Sequence, residues 1–170
     1  MKIDISELKK LKQTIDKIKP DILQKVLGTD HLNRIAKAMS NQVKKRTQVG
    51  KSVASTAGTQ QNFQPLKPRT IEQRKRASKV GQLSPNTRPS KSNLTETGKM
   101  LDSLEGRSLN RGEIEIYISD TERAEVAKYH HEGGGKLPKR PFMFLAKFEL
   151  KMISDAVNEF IKFLVDKSLK

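Results

Sequence analysis

The chain has no cysteine, no tryptophan, only eight aromatic residues (6 Phe and 2 Tyr), and a single acidic residue, Glu72, between positions 37 and 95. The first absence excludes disulfides, thiolate metal sites and cysteine nucleophiles together, so nothing requires an oxidising compartment and the expected place of synthesis is a cytoplasm. No apolar run approaches the roughly 20 residues that span a bilayer. The opening MKIDISELKK lacks the apolar stretch of a signal peptide, so neither membrane insertion nor export by a recognisable signal is expected. With 34% hydrophobic residues the chain can fill one modest core without ordering every segment. Its 170 residues fit one domain, 1–170, better than two.

The shortage of acids is local. Residues 1–36 carry 8 basic and 5 acidic side chains, residues 37–95 carry 13 and 1, and residues 96–170 carry 13 and 13, so +12 of the formal +15 belongs to the middle third. A segment that lopsided repels itself unless it is extended, solvated or laid against something negative, and nucleic acid is the obvious partner class. Phe63 is the only aromatic residue there, so stacking on single-stranded bases is not supported. Phosphate contact and plain solvation both remain. The densest patch is Arg69, Arg74, Lys75, Arg76 and Lys79, flanked by Lys44, Lys45, Arg46, Lys67 and Arg88. These residues are the candidates for backbone or subunit contact by charge alone. No recognition-helix, zinc-finger or RNA-stacking motif accompanies them, which argues against sequence-specific binding.

Periodicity predicts an α+β fold: amphipathic N-terminal helices (1–47), a basic loop-rich insertion (48–93), and an α+β part with a hairpin and a long C-terminal helix (94–167). Leu8, Leu11, Ile15, Ile18 and Ile22 step by three and four, with a break at Pro20 and an end at Gly28. Asp30 offers an N-cap for a helix to about Thr47 whose apolar face is Leu32, Ile35, Ala36, Met39 and Val43. From Gln48 to Asn93 the composition reads mainly as loop, except for a short, exposed helix over Pro68 to Ser78 anchored only by Ile71. Leu94, Met100, Leu101 and Leu104 suggest a short helix entering a hairpin. Its strands are Leu104 to Leu109 and Glu113 to Ile118, with Ile114, Ile116 and Ile118 on one side and a turn at Asn110-Arg111-Gly112. A helix over Thr121 to His131 ends at the triple glycine. A long one follows from Pro141 to about Lys167, burying several Phe side chains at up to about 3 kcal/mol each.

Titratable residues crowd only at Tyr129-His130-His131-Glu132. Adjacent histidines on a helix point about 100° apart and do not easily serve one metal, so a structural or interface role stands ahead of a metal or acid/base one. Gly133-Gly134-Gly135 lacks the Lys-Ser/Thr of a P-loop and reads as a turn. No catalytic residue, metal or cofactor is expected. Pro138 and Pro141 bracket Lys139-Arg140 and fix an extended entry that holds Arg140 in one orientation. Arg140 then meets a carboxylate of its own chain or of a neighbour, and the reading favours the intrachain anchor.

The ordered features also form a set. It runs Arg46-Thr47-x-x-Gly50; Phe63-Gln64-Pro65-Leu66-x-x-x-Thr70-x-x-x-Arg74; Leu94-x-x-Thr97-Gly98-x-x-Leu101-x-Ser103-Leu104; Ala127-x-x-His130-x-x-Gly133; and Pro138-x-Arg140-Pro141-Phe142. This set resembles the phage virion-morphogenesis or tail-completion family, over about Arg46 to Phe142. Val126, His131 and Met143 stand where that family commonly has Tyr, Gln and Leu. The resemblance implies a structural, non-enzymatic protein of the virion neck or tail, acting as a homo-oligomeric ring that joins tail to head. Implied partners are further copies, portal or connector, tail-terminator and tail-tube proteins, with DNA in transit. It supplies no catalytic residues, and the segment before Arg46 lies outside it. The rival reading is a basic protein that binds nucleic acid without sequence preference; a hydrolase using His130, His131 and Glu132 is a further one.

Overall fold

In a computed structural model of the chain, residues 28–85, 87–110, 113–134 and 137–168 are described; the expected helical stretch over Leu8 to Ile22 lies outside them. Among the described residues five helices and two small antiparallel two-stranded sheets make an α+β fold: α1 (Thr29–Gln48), β1 (Lys51–Val53), β2 (Gln60–Asn62), α2 (Pro68–Lys79), α3 (Lys99–Asp102), β3 (Leu104–Asn110), β4 (Glu113–Ile118), α4 (Thr121–Glu132) and α5 (Lys147–Ser168). Among the described residues no helix is long and apolar enough to cross a membrane.

Helix α1 follows the apolar period: Leu32, Ala36, Met39 and Val43 are buried and Ile35 partly so. Its start differs from the expectation. Gly28 is the N-cap and Asp30 lies inside the first turn, where a negative charge suits the exposed N–H groups without capping them. The β3–β4 hairpin pairs Leu104 with Ile118 and Ser108 with Ile114, with an irregularity between Ser108 and Asn110. Period-two alternation puts Ile114 and Ile116 into the core and leaves Glu113 exposed. The hairpin can lie directly on α1 because Gly106 has no side chain: a Cβ there would run into the Ala36 carbonyl. Phe142 and Leu145, both fully buried, complete the core together with Leu101 and Leu104.

The sequence reading is corrected at two places. Within 48–93, β1 pairs with β2 through Lys51↔Asn62 and Val53↔Gln60, and Val53, Phe63 and Arg74 are buried. The basic third is therefore integrated into the fold. The last helix begins at Lys147, not Pro141. Residues 141–146 run without helix, bending at Met143 and Phe144, beside β1 and its turn, with Val53 N–H donating to Pro141 O (3.0 Å), Ala57 N–H to Leu145 O (2.8 Å) and Lys147 N–H to Gly58 O (3.2 Å). Pro141 O and Leu145 O are taken by a neighbouring segment, so they do not close helical turns. Phe142 thus enters the core from a strap, while Phe148, Met152 and Phe163 on α5 stay 46%, 48% and 58% exposed.

Candidate functional site

Three groups of cationic side chains define what this fold presents. The first is internal. Arg46, in the last turn of α1, donates to the Glu149 carboxylate, to Phe142 O at 2.6 Å and to Phe144 O at 2.7 Å. Glu149 sits at the third position of α5 and also accepts from Ala146 N–H at 2.7 Å, the return half of a capping box. One carboxylate thus closes the start of α5 and neutralises the end of α1, and one guanidinium satisfies two carbonyls of the strap. Burial pushes the Arg46 guanidinium below its ordinary value and Glu149 pushes it back up. Arg46 and Glu149 side chains are each 2% exposed, so this is a buried pair in which loss of either partner leaves an uncompensated charge.

The second group surrounds the end of α4. Arg74 projects from the inner side of α2 and is 6% exposed. Its Nε and Nη2 both donate to one Glu96 oxygen at 3.2 Å, and Nη1 donates to Lys91 O at 3.1 Å and Asn93 Oδ1 at 3.4 Å. Asn93 in turn donates to Gln48 O at 3.2 Å, which fastens α2 to the end of α1. Arg140, 7% exposed, is fixed by its backbone N–H donating to His130 O at 2.7 Å. Among the described residues its guanidinium makes no ion pair, and its Nε is buried without a partner, as is His130 Nδ1. Among the described residues the intrachain carboxylate expected for Arg140 is therefore not found; that role belongs to Arg46. Burial lowers the His130 pKa, and the charges of Arg140 and Arg74 lower it further. His131 faces the strap instead: its Nδ1 accepts from Met143 N–H at 3.4 Å, and its ring lies 4.7 Å from that of Phe144. The two histidines serve different neighbourhoods, and among the described residues no group of three or more His, Asp or Glu is placed to hold a metal ion.

The third group is exposed. Arg69, Arg76 and Lys79 lie on the side of α2 away from Arg74, and all three are exposed, as are Lys45, Lys67 and Arg88. Lys75 is exposed and paired with Glu72 at 2.9 Å, and Lys44 reaches Asp102 O at 3.2 Å. The sequence-predicted basic set therefore divides: Arg46 and Arg74 are structural, and the others remain on the surface.

The remaining motif residues are placed as follows. Gly98, buried with φ 78°, turns the chain into α3, a conformation that costs other residues strain; Thr97 before it is exposed. Ser103 caps α3 through Lys99 O and Met100 O, both 3.1 Å. Gly133 ends α4, its N–H donating to Tyr129 O at 3.0 Å. Pro138 and Pro141 are half-buried and Phe142 is fully buried. Sequence reasoning missed Glu149, Glu96 and Asn93. Two signals were present: Glu149 stands three residues after Ala146 in capping-box spacing, and Glu96 is the first acid after the depleted stretch. No protein-family model, no curated protein and no solved structure matches the chain.

Proposed function

We propose that the protein is a structural virion component of a tailed bacteriophage or prophage. In this reading it completes the tail or neck and joins tail to head as a ring subunit around the DNA passage, without a chemical step. One observation carries the reading: the residues of the motif set quoted above are used to build the fold. Arg46 ties α1 to α5, Arg74 docks α2, Gly98 and Gly133 shape the helix ends, and Phe142 fills the core. What these leave outward is a set of surfaces suited to macromolecules, chiefly the exposed cations of α2 and the apolar residues Phe148, Met152 and Phe163 of α5. Ring subunits need two different complementary patches, and a basic middle beside a charge-balanced C-terminal part supplies that asymmetry.

Its partners in the reading are further copies of itself, portal or connector proteins, and tail-terminator or tail-tube proteins. The chain is made in the host cytoplasm and ends in the virion. Deleting the gene from its phage and imaging the particles tests this. Full heads and finished tails that fail to join are expected; normal virions would sink the reading.

Nonspecific nucleic-acid binding has its own support in Arg69, Arg76 and Lys79, which share one exposed side with no carboxylate partner among the described residues. Duplex binding measured against salt separates the two, because a dedicated binder shows an affinity of about 10⁻⁶ M or better and loses it steeply with salt.

A further inference from the structure

Among the described residues the surroundings of Arg140 are out of charge balance. Its position is well determined by the fold: Pro141 follows it, its N–H is held by His130 O at 2.7 Å, and it is 7% exposed. Arg74, also buried, carries a second guanidinium nearby, and its positive charge pushes the Arg140 pKa down beyond what burial alone does. His130 adds an imidazole whose Nδ1 is buried and unpartnered. Among the described residues Glu96 is the one carboxylate against this group, and it is held by Arg74 through a single oxygen while its side chain is 57% exposed. A folded chain does not ordinarily bury a permanently charged guanidinium without an anion or a set of acceptors to meet it. Arg46 shows how the same chain treats an arginine whose role is internal: a carboxylate and two carbonyls answer it.

We infer that Arg140, with Arg74 and His130, forms a recess that receives a carboxylate side chain from a second copy of the chain. The planar fork of Arg140 suits two-point contact with a carboxylate. The depth of the site decides between sources. Duplex phosphates lie along a convex backbone and are met by exposed side chains such as Arg69 and Arg76. A guanidinium only 7% exposed is reached by a group carried on a stem. The C-terminal part offers such groups: Asp155, Glu159 and Asp166 of α5 are exposed and have no ion-pair partner among the described residues. The choice of a second copy as the source rests on the ring reading above; the recess itself does not.

The test uses the full chain labelled with ¹⁵N at arginine, read by the Arg140 Nε–H resonance during titration with sodium acetate against sodium chloride, together with sedimentation velocity. Acetate is expected to shift the Arg140 resonance saturably and to weaken self-association, where chloride at equal ionic strength does neither. Arg140→Met is expected to weaken self-association by about tenfold or more. Should Arg140→Met fail to fold, Arg140→Lys, which keeps the charge and loses the fork, decides the matter and is expected to associate more weakly than the parent. An Arg140 resonance that acetate does not move overturns the recess. A shift with acetate in a chain that stays monomeric overturns the second copy as source, and the ring reading with it. Unchanged self-association in the folded variant overturns the assignment of Arg140 to that contact.

Discussion

Arg46 and Arg140 are two buried arginines bound to one stretch of chain, the first through the carbonyls of Phe142 and Phe144 and the second as part of the entry to it. They are treated differently. The terminal nitrogens of Arg46 end on a carboxylate and two carbonyls, although its Nε has no partner among the described residues, and Glu149 closes a helix at the same time. Arg140 is held by its backbone, while its charge lies near Arg74 and His130 and, among the described residues, pairs with no carboxylate. The lesson is that burial alone does not assign a charged residue to stability. The accompanying acceptors do, and a buried cation without them marks a place where the fold is completed by something outside it.

The contrast can be broken in several ways. The largest effect belongs to the satisfied arginine. Arg46→Met is expected to cost about 3–5 kcal/mol in urea unfolding, because Glu149 is left charged, buried and short of its partner; against a total of about 5–15 kcal/mol this removes much of the fold. Gly106→Ala comes next at about 1–3 kcal/mol, since the added methyl forces α1 and β3 apart at the Ala36 carbonyl. A loss near zero would show that the hairpin slides freely on α1.

Protonation provides a third test. Burial lowers the pKa of His31, His130 and His131 in the folded chain. Each therefore stays neutral when folded at a pH where the unfolded chain would take up a proton. Stability is full above the unfolded histidine value of about 6.5 and declines as pH falls from there through the folded values. Denaturation midpoints at stepped pH check this, and His130→Gln is expected to flatten part of the decline. A midpoint that rises on acidification would contradict it. The smallest effect on the fold comes from the exposed face: changing Arg69, Arg76 and Lys79 to Ser is expected to move stability by no more than about 0.5 kcal/mol. The same change lowers the salt slope of duplex binding, by about 0.9 for each cation that was in contact with a phosphate.

Periodic segments were legible in the sequence because their burial repeats along the chain: Leu32 to Val43 on α1, and Ile114 and Ile116 on β4. The end of α4 at Gly133 was legible from local turn chemistry, while Arg111 and Gly112 of the expected hairpin turn lie outside the described residues. The strap at 141–146 was not, because Phe142, Leu145 and Phe148 have helical spacing, and hydrogen bonds to β1, to the segment after it and to Arg46, all far away in sequence, hold the segment out of a helix. The same is true of the site. Arg46 and Arg74 resemble any other cations of a basic stretch until Glu149 and Glu96 arrive, 103 and 22 residues later. Charge counting located the excess, and long-range pairing determined which members of it are internal.

The most direct measurement sets the two arginines side by side: urea unfolding of the full chain carrying Arg140→Met, with Arg46→Met as the yardstick. The account predicts that Arg140→Met unfolds at or above the parent midpoint, because it removes a buried charge that no carboxylate among the described residues answers. A fall as large as that of Arg46→Met would contradict it and make Arg140 an internal anchor of its own chain.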